Sequence, residues 1–183
     1  MTMKSRIAIF VALCGLSLPS FAYQLQATEW LVKPTMGGRI NVVTAERNTP
    51  QASPGGGFLI GADLEYMVDK STSAILEFHP FFASGFIEVG FGVGAKYRFD
   101  GNDIPLIPYG AATVTFGWLL PTMAGPSTHF NMGLRPAIGL DYFVTRDMAI
   151  GLEFGCQPTL VLISGTASFD LSLDVLLGMT WRL

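Results

Sequence analysis

The sequence predicts an all-β protein, an eight-stranded antiparallel transmembrane β-barrel of the up-and-down type. Half of the residues are hydrophobic and the mean hydropathy is +0.43, which is typical of a membrane protein. Apolar and polar residues alternate with a period of two, as in a β-strand. Prolines interrupt the long uncharged run 104–134, so no segment matches the roughly 20-residue helix that crosses a bilayer. A closed barrel is the remaining way to satisfy backbone polar groups in lipid.

The first 22 residues are predicted to be a cleaved signal peptide. Lys4 and Arg6 provide a positive start, an apolar stretch follows, and Ser20-Phe21-Ala22 places small residues where a signal peptidase reads them. We therefore expect export, cleavage after Ala22, and a single barrel domain over residues 23–183.

The two cysteines predict no disulfide and no reactive centre. Cys14 lies in the predicted leader, and Leu13 occupies the position where a lipoprotein anchor needs a small residue. Cys156 is then alone in an exported chain and is interpreted as an apolar side chain on a strand.

The first four strands each alternate an apolar face with a polar one. WLVKPTMGGRINV separates its Lys and Arg from its Trp, Met and Ile, and FLIGADLEYMV and SAILEFHPFF do the same with acidic residues. FIEVGFGVGAKYRF is the clearest, because seven apolar residues face one way while Glu, Lys, Arg and three glycines face the other. Glycines on that face would leave room for bulky neighbours in a narrow interior.

The last four strands complete the predicted barrel. LIPYGAATVTFGWLL alternates poorly, and its faces stay unassigned. HFNMGLRPAIGLDYFV and MAIGLEFGCQPTLVLI flank a short TRD turn, and FDLSLDVLLGMTWRL alternates over its whole length. Short turns alternate with connections at the opposite end, of which TAERNTPQASPGGG and PTMAGPST are the longer. Aromatic residues near the segment ends are expected at the two membrane interfaces: Trp30, Tyr66, Phe99, Tyr109, Trp118, Tyr142 and Trp181.

The charged residues decide which face is which. Residues 23–183 contain 23 charged side chains, and nine of them lie in connections or just before the first strand. The other fourteen lie in strands, always opposite the apolar face. A Lys or Arg facing the middle of a bilayer costs about 2–4 kcal/mol, so these side chains are predicted to point inwards and form a mutually neutralising network. They are Lys33, Arg39, Asp63, Glu65, Glu77, Glu88, Lys96, Arg98, Arg135, Asp141, Glu153, Asp170, Asp174 and Arg182.

Three segments resemble the small eight-stranded outer-membrane β-barrel superfamily, which includes the OmpA transmembrane domain, OmpX and the opacity-type proteins. They are IPYGAATVTFGW, GLRPAIGLDYFVTRDMAIGLEF and FDLSLDVLLGMTWRL. The resemblance implies the bacterial outer membrane as location, contact with its lipid and lipopolysaccharide, and insertion by the barrel-assembly machinery through the C-terminal strand. The family usually ends in phenylalanine, whereas this chain ends in Leu183 with Trp181 two residues earlier.

Three functions stay open at this point. The first is a non-enzymatic barrel with a filled, salt-bridged interior, acting in envelope structure or in surface contacts through loops 43–57 and 119–129, with no surface partner identified. The second is a small porin or channel for small solutes. The third is a lipid A-modifying acyl hydrolase or transferase.

The enzyme hypothesis depends on two histidines, and the sequence disfavours it. His79 and His129 fall toward the outer ends of their strands, with Ser84 and Ser127 nearby. His129 is followed by Phe-Asn, which departs from the His-x-Ser motif of the lipid A deacylases, so we expect no enzyme and interpret both histidines as hydrogen-bonded rim residues. We also expect no metal, cofactor or nucleic acid, because no ligand cluster, phosphate loop or basic patch is present.

Overall fold

The computed structural model describes residues 25–44, 55–99, 105–122, 128–163 and 166–183, and these form a closed antiparallel β-barrel. Its β-segments are β1 Trp30–Thr44, β2 Gly56–Met67, β3 Thr72–Phe78, β4 Phe81–Ala83, β5 Phe86–Arg98, β6 Leu106–Pro121, β7 His129–Phe143, β8 Met148–Ile163 and β9 Thr166–Arg182. The predicted signal peptide and most of the two longer loops lie outside the described residues. Across the ranges described, no helix is long and apolar enough to span a membrane.

The pairing of β1 with both β2 and β9 closes the barrel. β3 and β4 each pair with β2 and with β5, and the remaining strands pair antiparallel with their neighbours in sequence, so the order around the wall is that of an up-and-down barrel. We call the end where β1 begins and β9 ends the terminal end, and the opposite end the loop end. Since β3 and β4 belong to one barrel strand, the described wall has eight strands, and the predicted fold class is confirmed.

A proline divides the third barrel strand. The sequence predicts one strand over 73–82, and the structure interrupts it between β3 and β4 at His79 and Pro80. Pro80 has no N–H to donate to the ladder. Its carbonyl still accepts from the Ile60 N–H, and the alternation of faces continues, with His79 buried and Phe82 exposed on the outside.

The wall has its apolar side outwards and its charged side inwards, the reverse of a soluble protein. Ile138 is 68% exposed and Leu177 56%, whereas Lys33 and Glu65 are fully buried. Buried apolar side chains also form a cluster inside the barrel near its terminal end. Leu25, which precedes the first strand, packs there with Leu31 and Met67.

The structure assigns the faces of β6, which the sequence leaves open. Tyr109, Thr113 and Thr115 are buried inside, whereas Val114 and Trp118 are exposed on the outer wall. The prediction that Tyr109 lies at a membrane interface is therefore wrong. Alternation fails as a signal here because the inner face of β6 mixes aromatic and aliphatic residues with threonines, so polarity does not separate the two faces.

Candidate functional site: the charged interior

Twelve of the fourteen strand charges predicted to face inwards are buried, each at most 7% exposed. We call these twelve the interior network. They are Lys33, Arg39, Asp63, Glu65, Glu77, Glu88, Lys96, Arg98, Arg135, Asp141, Glu153 and Asp174. The other two are only half-buried. Arg182 pairs with Glu29 at the rim of the terminal end, and Asp170 lies near the loop end of β9.

Nearest the terminal end, Glu65 binds two cations. Its carboxylate on β2 accepts hydrogen bonds from Lys96 and from Arg98, both on β5, the Arg98 bond being 2.6 Å long. Ser73 donates to the same carboxylate from the strand between them. Two cations on one carboxylate leave positive charge in excess, and Asp141 supplies part of the balance from 3.6 Å away from Arg98.

Tyr109 bridges the lumen at the next level, and its place here is what the sequence failed to predict. The ammonium of Lys33 on β1 donates to the Tyr109 hydroxyl at 2.8 Å, and that hydroxyl donates to Glu153 at 2.7 Å. Lys33 and Lys96 also lie 5.0 and 4.5 Å from the centre of the ring, within the range of cation–π attraction. The phenol thus links strands on opposite sides of the barrel.

Arg135 holds the middle of the barrel closed. Its guanidinium on β7 donates to Asp174 on β9 at 2.6 Å, to Glu153 on β8 at 2.7 Å and to Glu77 on β3 at 3.3 Å. Because β5 and β6 separate β7 from β3 in the wall, the bond to Glu77 crosses the lumen. Thr113 donates to Glu77 at 3.0 Å and holds it in place. One buried cation therefore binds carboxylates from three strands.

The loop half of the interior has fewer charges. Arg39 on β1 donates to Glu88 on β5 at 2.7 Å, and Asn131 on β7 donates to the other oxygen of that carboxylate at 3.0 Å. The Arg39 guanidinium lies 5.0 Å from the centre of the Phe81 ring. Phe81 belongs to a buried apolar cluster with Leu59 and Leu176, which alternation alone did not reveal because Leu176 lies on the polar face of the last strand.

The two histidines lie in different environments. His79 is buried, and its Nε2 is 2.7 Å from a carboxylate oxygen of Asp63. His79 is thus an interior residue rather than the rim residue that the sequence predicts, because Phe81 and the loop-end turn extend its strand beyond it. His129 begins β7 at the loop end and is partly exposed, opposite Leu119 on β6.

Neither histidine has the surroundings of a catalytic base. Ser84 is exposed at the loop end, and Ser127 lies outside the described residues. In the ranges described, neither histidine hydrogen-bonds to a serine hydroxyl. No group of three or more His, Cys, Asp or Glu side chains is arranged there to hold a metal ion.

A small cavity separates the Arg39–Glu88 pair from the Arg135 cluster. Its volume is about 10 Å³, and its lining includes Arg39, Glu77, Glu88, Arg135 and Gln157. Next to this cavity, the Arg135 side chain and its three carboxylate partners span the interior. This is the expected consequence of eight strands, which enclose a space just wide enough for side chains to fill.

Solved structures share this architecture. Neisserial surface protein A superimposes with a TM-score of 0.66 at 17% identity, over 84% of this chain and 97% of its own. OprG from Pseudomonas aeruginosa gives 0.62 at 11% identity, over 86% and 97% of the two chains. The N-terminal barrel domain of OprF from the same organism gives 0.58 at 14% identity, over 87% of this chain and all of that domain.

The chain has the fold of the small outer-membrane β-barrels. The predicted resemblance is confirmed at this level, and at such low identities it concerns the fold alone. No protein-family model matches the chain, and no curated protein matches it in sequence.

Proposed function

We propose that the protein is a closed, non-enzymatic barrel of the bacterial outer membrane that serves envelope structure or surface contacts. The observation that carries this proposal is the Arg135 cluster, in which one buried guanidinium binds carboxylates from three strands across the lumen. Side chains that hold one another in this way occupy the path that a solute would need.

The outer surface supports the membrane location. Large apolar side chains cover the wall, and among the charges of the described strands only Asp170 and Arg182 are partly exposed. Exposing such an apolar surface to water is unfavourable in free energy, whereas contact with lipid hydrocarbon is favourable. Solved proteins of this fold, including OprG, are described as outer-membrane proteins. Lipid and lipopolysaccharide are therefore the partners that we propose for the wall.

The layered interior argues against the channel alternative. A hydrated ion entering from the loop end would first meet the Arg39–Glu88 pair and then the Arg135 cluster. Hydrogen bonds to charged groups contribute about 1.5–3 kcal/mol each, so opening both levels together is expected to be rare.

The enzyme alternative has less support. A lipid A hydrolase needs a nucleophile, a base and an open face toward the lipid. His79 faces the interior and is paired with Asp63, while exposed Ser84 lies beyond the end of β4. We therefore retain the non-enzymatic function.

Insertion through the C-terminal strand completes the proposal. β9 is the longest strand in the described residues, at 17 residues, and pairs with both β8 and β1. Leu183 lies beyond it and is exposed. We propose that the barrel-assembly machinery recognises this strand and that surface partners meet the loops at the opposite end.

Conductance in planar bilayers tests the proposal. Folded protein, verified by its heat-dependent migration on a gel, is expected to give no discrete current steps, while an open porin in the same bilayer gives them. Regular steps from the folded protein would replace the closed barrel with the channel.

Lipid A analysis tests the enzymatic alternative separately. Mass spectra of lipid A from cells with the protein, without it, and with His79→Ala or His129→Ala are expected to be identical. A change in acyl chains that depends on either histidine would refute the non-enzymatic function.

A further inference from the structure

The interior network contains more carboxylates than permanent cations. Its five Lys and Arg side chains accompany seven Asp and Glu side chains, all of them buried. A buried charge without a counter-charge is costly, so an excess of two carboxylates favours one more cation in the same space. Among the buried side chains of the described residues, His79 is the remaining group that can take up a positive charge near neutral pH.

His79 lies against a carboxylate of the neighbouring strand. Its Nε2 is 2.7 Å from Oδ1 of Asp63 on β2, which is the separation of a cationic nitrogen and a carboxylate in a charge-assisted contact. Neither atom has a hydrogen-bond partner elsewhere in the described interior. No lysine or arginine of the described ranges forms an ion pair with Asp63, so the imidazole is the counter-ion within reach of this carboxylate.

The backbone of the two adjacent strands makes room for this contact. A Cβ on Gly61 of β2 would collide with Cδ2 of the imidazole and with the carbonyl oxygen of Phe78, so the ring lies over a residue without a side chain. On the other side, the His79 N–H donates to the carbonyl oxygen of Gly90 on β5 at 3.0 Å. The imidazole is thus held against β2, where Asp63 follows Gly61 by two residues.

The other charged groups beside His79 already form two ion pairs. They come from its own strand and from β1, β5 and β7, and β6 and β8 contribute neutral side chains to the cavity that His79 also lines. Because each of these pairs has its own cation, Asp63 is the neighbouring carboxylate that lacks a permanent one. The two pairs are Glu77 with Arg135 and Glu88 with Arg39, and the neutral polar side chains are Thr115 and Gln157.

We propose that His79 is the sixth cation of the interior, an imidazolium that pairs with Asp63 and forms a protonation-dependent link between β2 and the break at Pro80. Its charge gives Asp63 a counter-charge and reduces the excess of carboxylates. The pair also joins the strands where Pro80 cannot donate a backbone N–H to the ladder. Loss of the proton leaves Asp63 buried without a counter-charge, so the link weakens in alkali. The proposal is independent of the function, since an open channel and a closed barrel could both contain this pair.

NMR of the imidazole nitrogens tests the charge of His79 directly, because the chain has two histidines. Folded protein labelled with ¹⁵N-histidine is placed in lipid nanodiscs. His129→Gln, a change at the partly exposed loop end, leaves the His79 resonances alone in the spectrum and so assigns them. At about pH 8, where an isolated histidine is neutral, we expect both ring nitrogens of His79 to be protonated. A neutral imidazole at this position would overturn the proposal.

A matched pair of variants tests whether Asp63 holds that proton. Asp63→Asn removes the carboxylate that contacts the imidazole, and Asp147→Asn removes one from an exposed turn at the terminal end. An adjacent negative charge favours the charged form of histidine. We therefore expect the imidazolium resonances of His79 at about pH 8 to be lost in Asp63→Asn and kept in Asp147→Asn. Imidazolium resonances that persist in folded Asp63→Asn would contradict the pairing.

Discussion

The two halves of the interior neutralise their buried charges with different numbers of partners. The half toward the terminal end, from Glu65 to the Arg135 cluster, is called the terminal half. In the terminal half, Glu65, Tyr109 and Glu153 each contact at least two charged or polar partners, and Arg135 binds three carboxylates. In the loop half, Arg39 and Glu88 form one ion pair, beside a small cavity and an apolar cluster. A narrow barrel can thus be closed either by a shared charge network or by one ion pair supported by apolar packing.

The redundancy also predicts how each half responds to substitution. Removing one partner of a buried ion pair leaves an uncompensated charge. The free energy of unfolding is expected to fall further when more such charges remain. The variants below separate the two halves on this basis. For each, the free energy of unfolding is measured by urea titration in detergent micelles, followed through tryptophan fluorescence.

Arg135→Ala is expected to have the largest effect. It leaves Glu77, Glu153 and Asp174 without their shared cation, and breaking a buried ion pair lowers the free energy of unfolding by about 3–5 kcal/mol. Arg182→Ala at the partly exposed terminal rim is the control and should lose much less. Equal losses from the two variants would mean that the central cluster does not hold the barrel together.

Tyr109→Phe is expected to come second. It keeps the ring beneath Lys33 and Lys96 but removes the hydroxyl that joins Lys33 to Glu153. Hydrogen bonds to charged groups suggest a loss of about 2 kcal/mol in the free energy of unfolding. Tyr97→Phe on the outer wall, where the ring is exposed, should change it very little. Identical behaviour of the two variants would place Tyr109 outside the network.

Glu88→Gln in the loop half is expected to have a smaller effect, about 1 kcal/mol. Arg39 and Asn131 donate to different oxygens of the carboxylate, so glutamine keeps an acceptor for one of the two donors, and Arg39 loses its counter-charge. Glu153→Gln makes the matched change in the terminal half, where Arg135, Lys33 and Tyr109 all contact the carboxylate. The difference in redundancy would be disproved if Glu88→Gln proved the more damaging.

The smallest effect is expected at the exposed turn between β2 and β3. The N–H groups of Ser71 and Thr72 donate to the Asp69 carboxylate at 2.8 Å each, and these backbone bonds lower the pKa of Asp69. A lowered pKa means stabilisation that is present above the ordinary pKa of aspartate and is lost as pH falls through the folded-state value. Asp69→Ala should therefore shift the urea midpoint slightly at neutral pH and not in strong acid; a larger shift in acid would contradict this sign.

The sequence predicts most of the strands of the wall and which side chains face inwards, but few of the hydrogen-bond and ion-pair partners inside the barrel. Charge is confined to one parity of the strands because lipid penalises it on the other, and the twelve residues of the interior network lie on the predicted face. That Arg135 meets Glu77 on β3 and Asp174 on β9, by contrast, depends on the stagger between strands that are not neighbours. The partnership of His79 with Asp63 depends instead on the register between β2 and its neighbour β3, in which Asp63 is opposite Glu77.

The error at Tyr109 and the unpredicted apolar cluster around Leu176 have a common physical cause. Both residues point into the barrel although their side chains are largely apolar, so polarity alone does not predict what they contact there. Tyr109 is accepted there because its hydroxyl finds two partners, and Leu176 because Leu59 and Phe81 pack against it. The side chains inside a narrow barrel must fill its volume as well as neutralise its charges. Apolar residues that fill the interior do not contrast with the apolar outer face, so they give no period-two pattern in the sequence.

Labelling of single cysteines in liposomes tests the central claim, that hydrocarbon wraps the apolar face and the charged face is enclosed. Cys156 is first replaced by alanine, and cysteine is then placed at Leu173, which is exposed on the outer wall, or at Val68, which is exposed in a turn. We expect a bilayer-confined reagent to label Leu173→Cys and a water-soluble maleimide to label only Val68→Cys. Reaction of Leu173→Cys with the water-soluble reagent alone would contradict it.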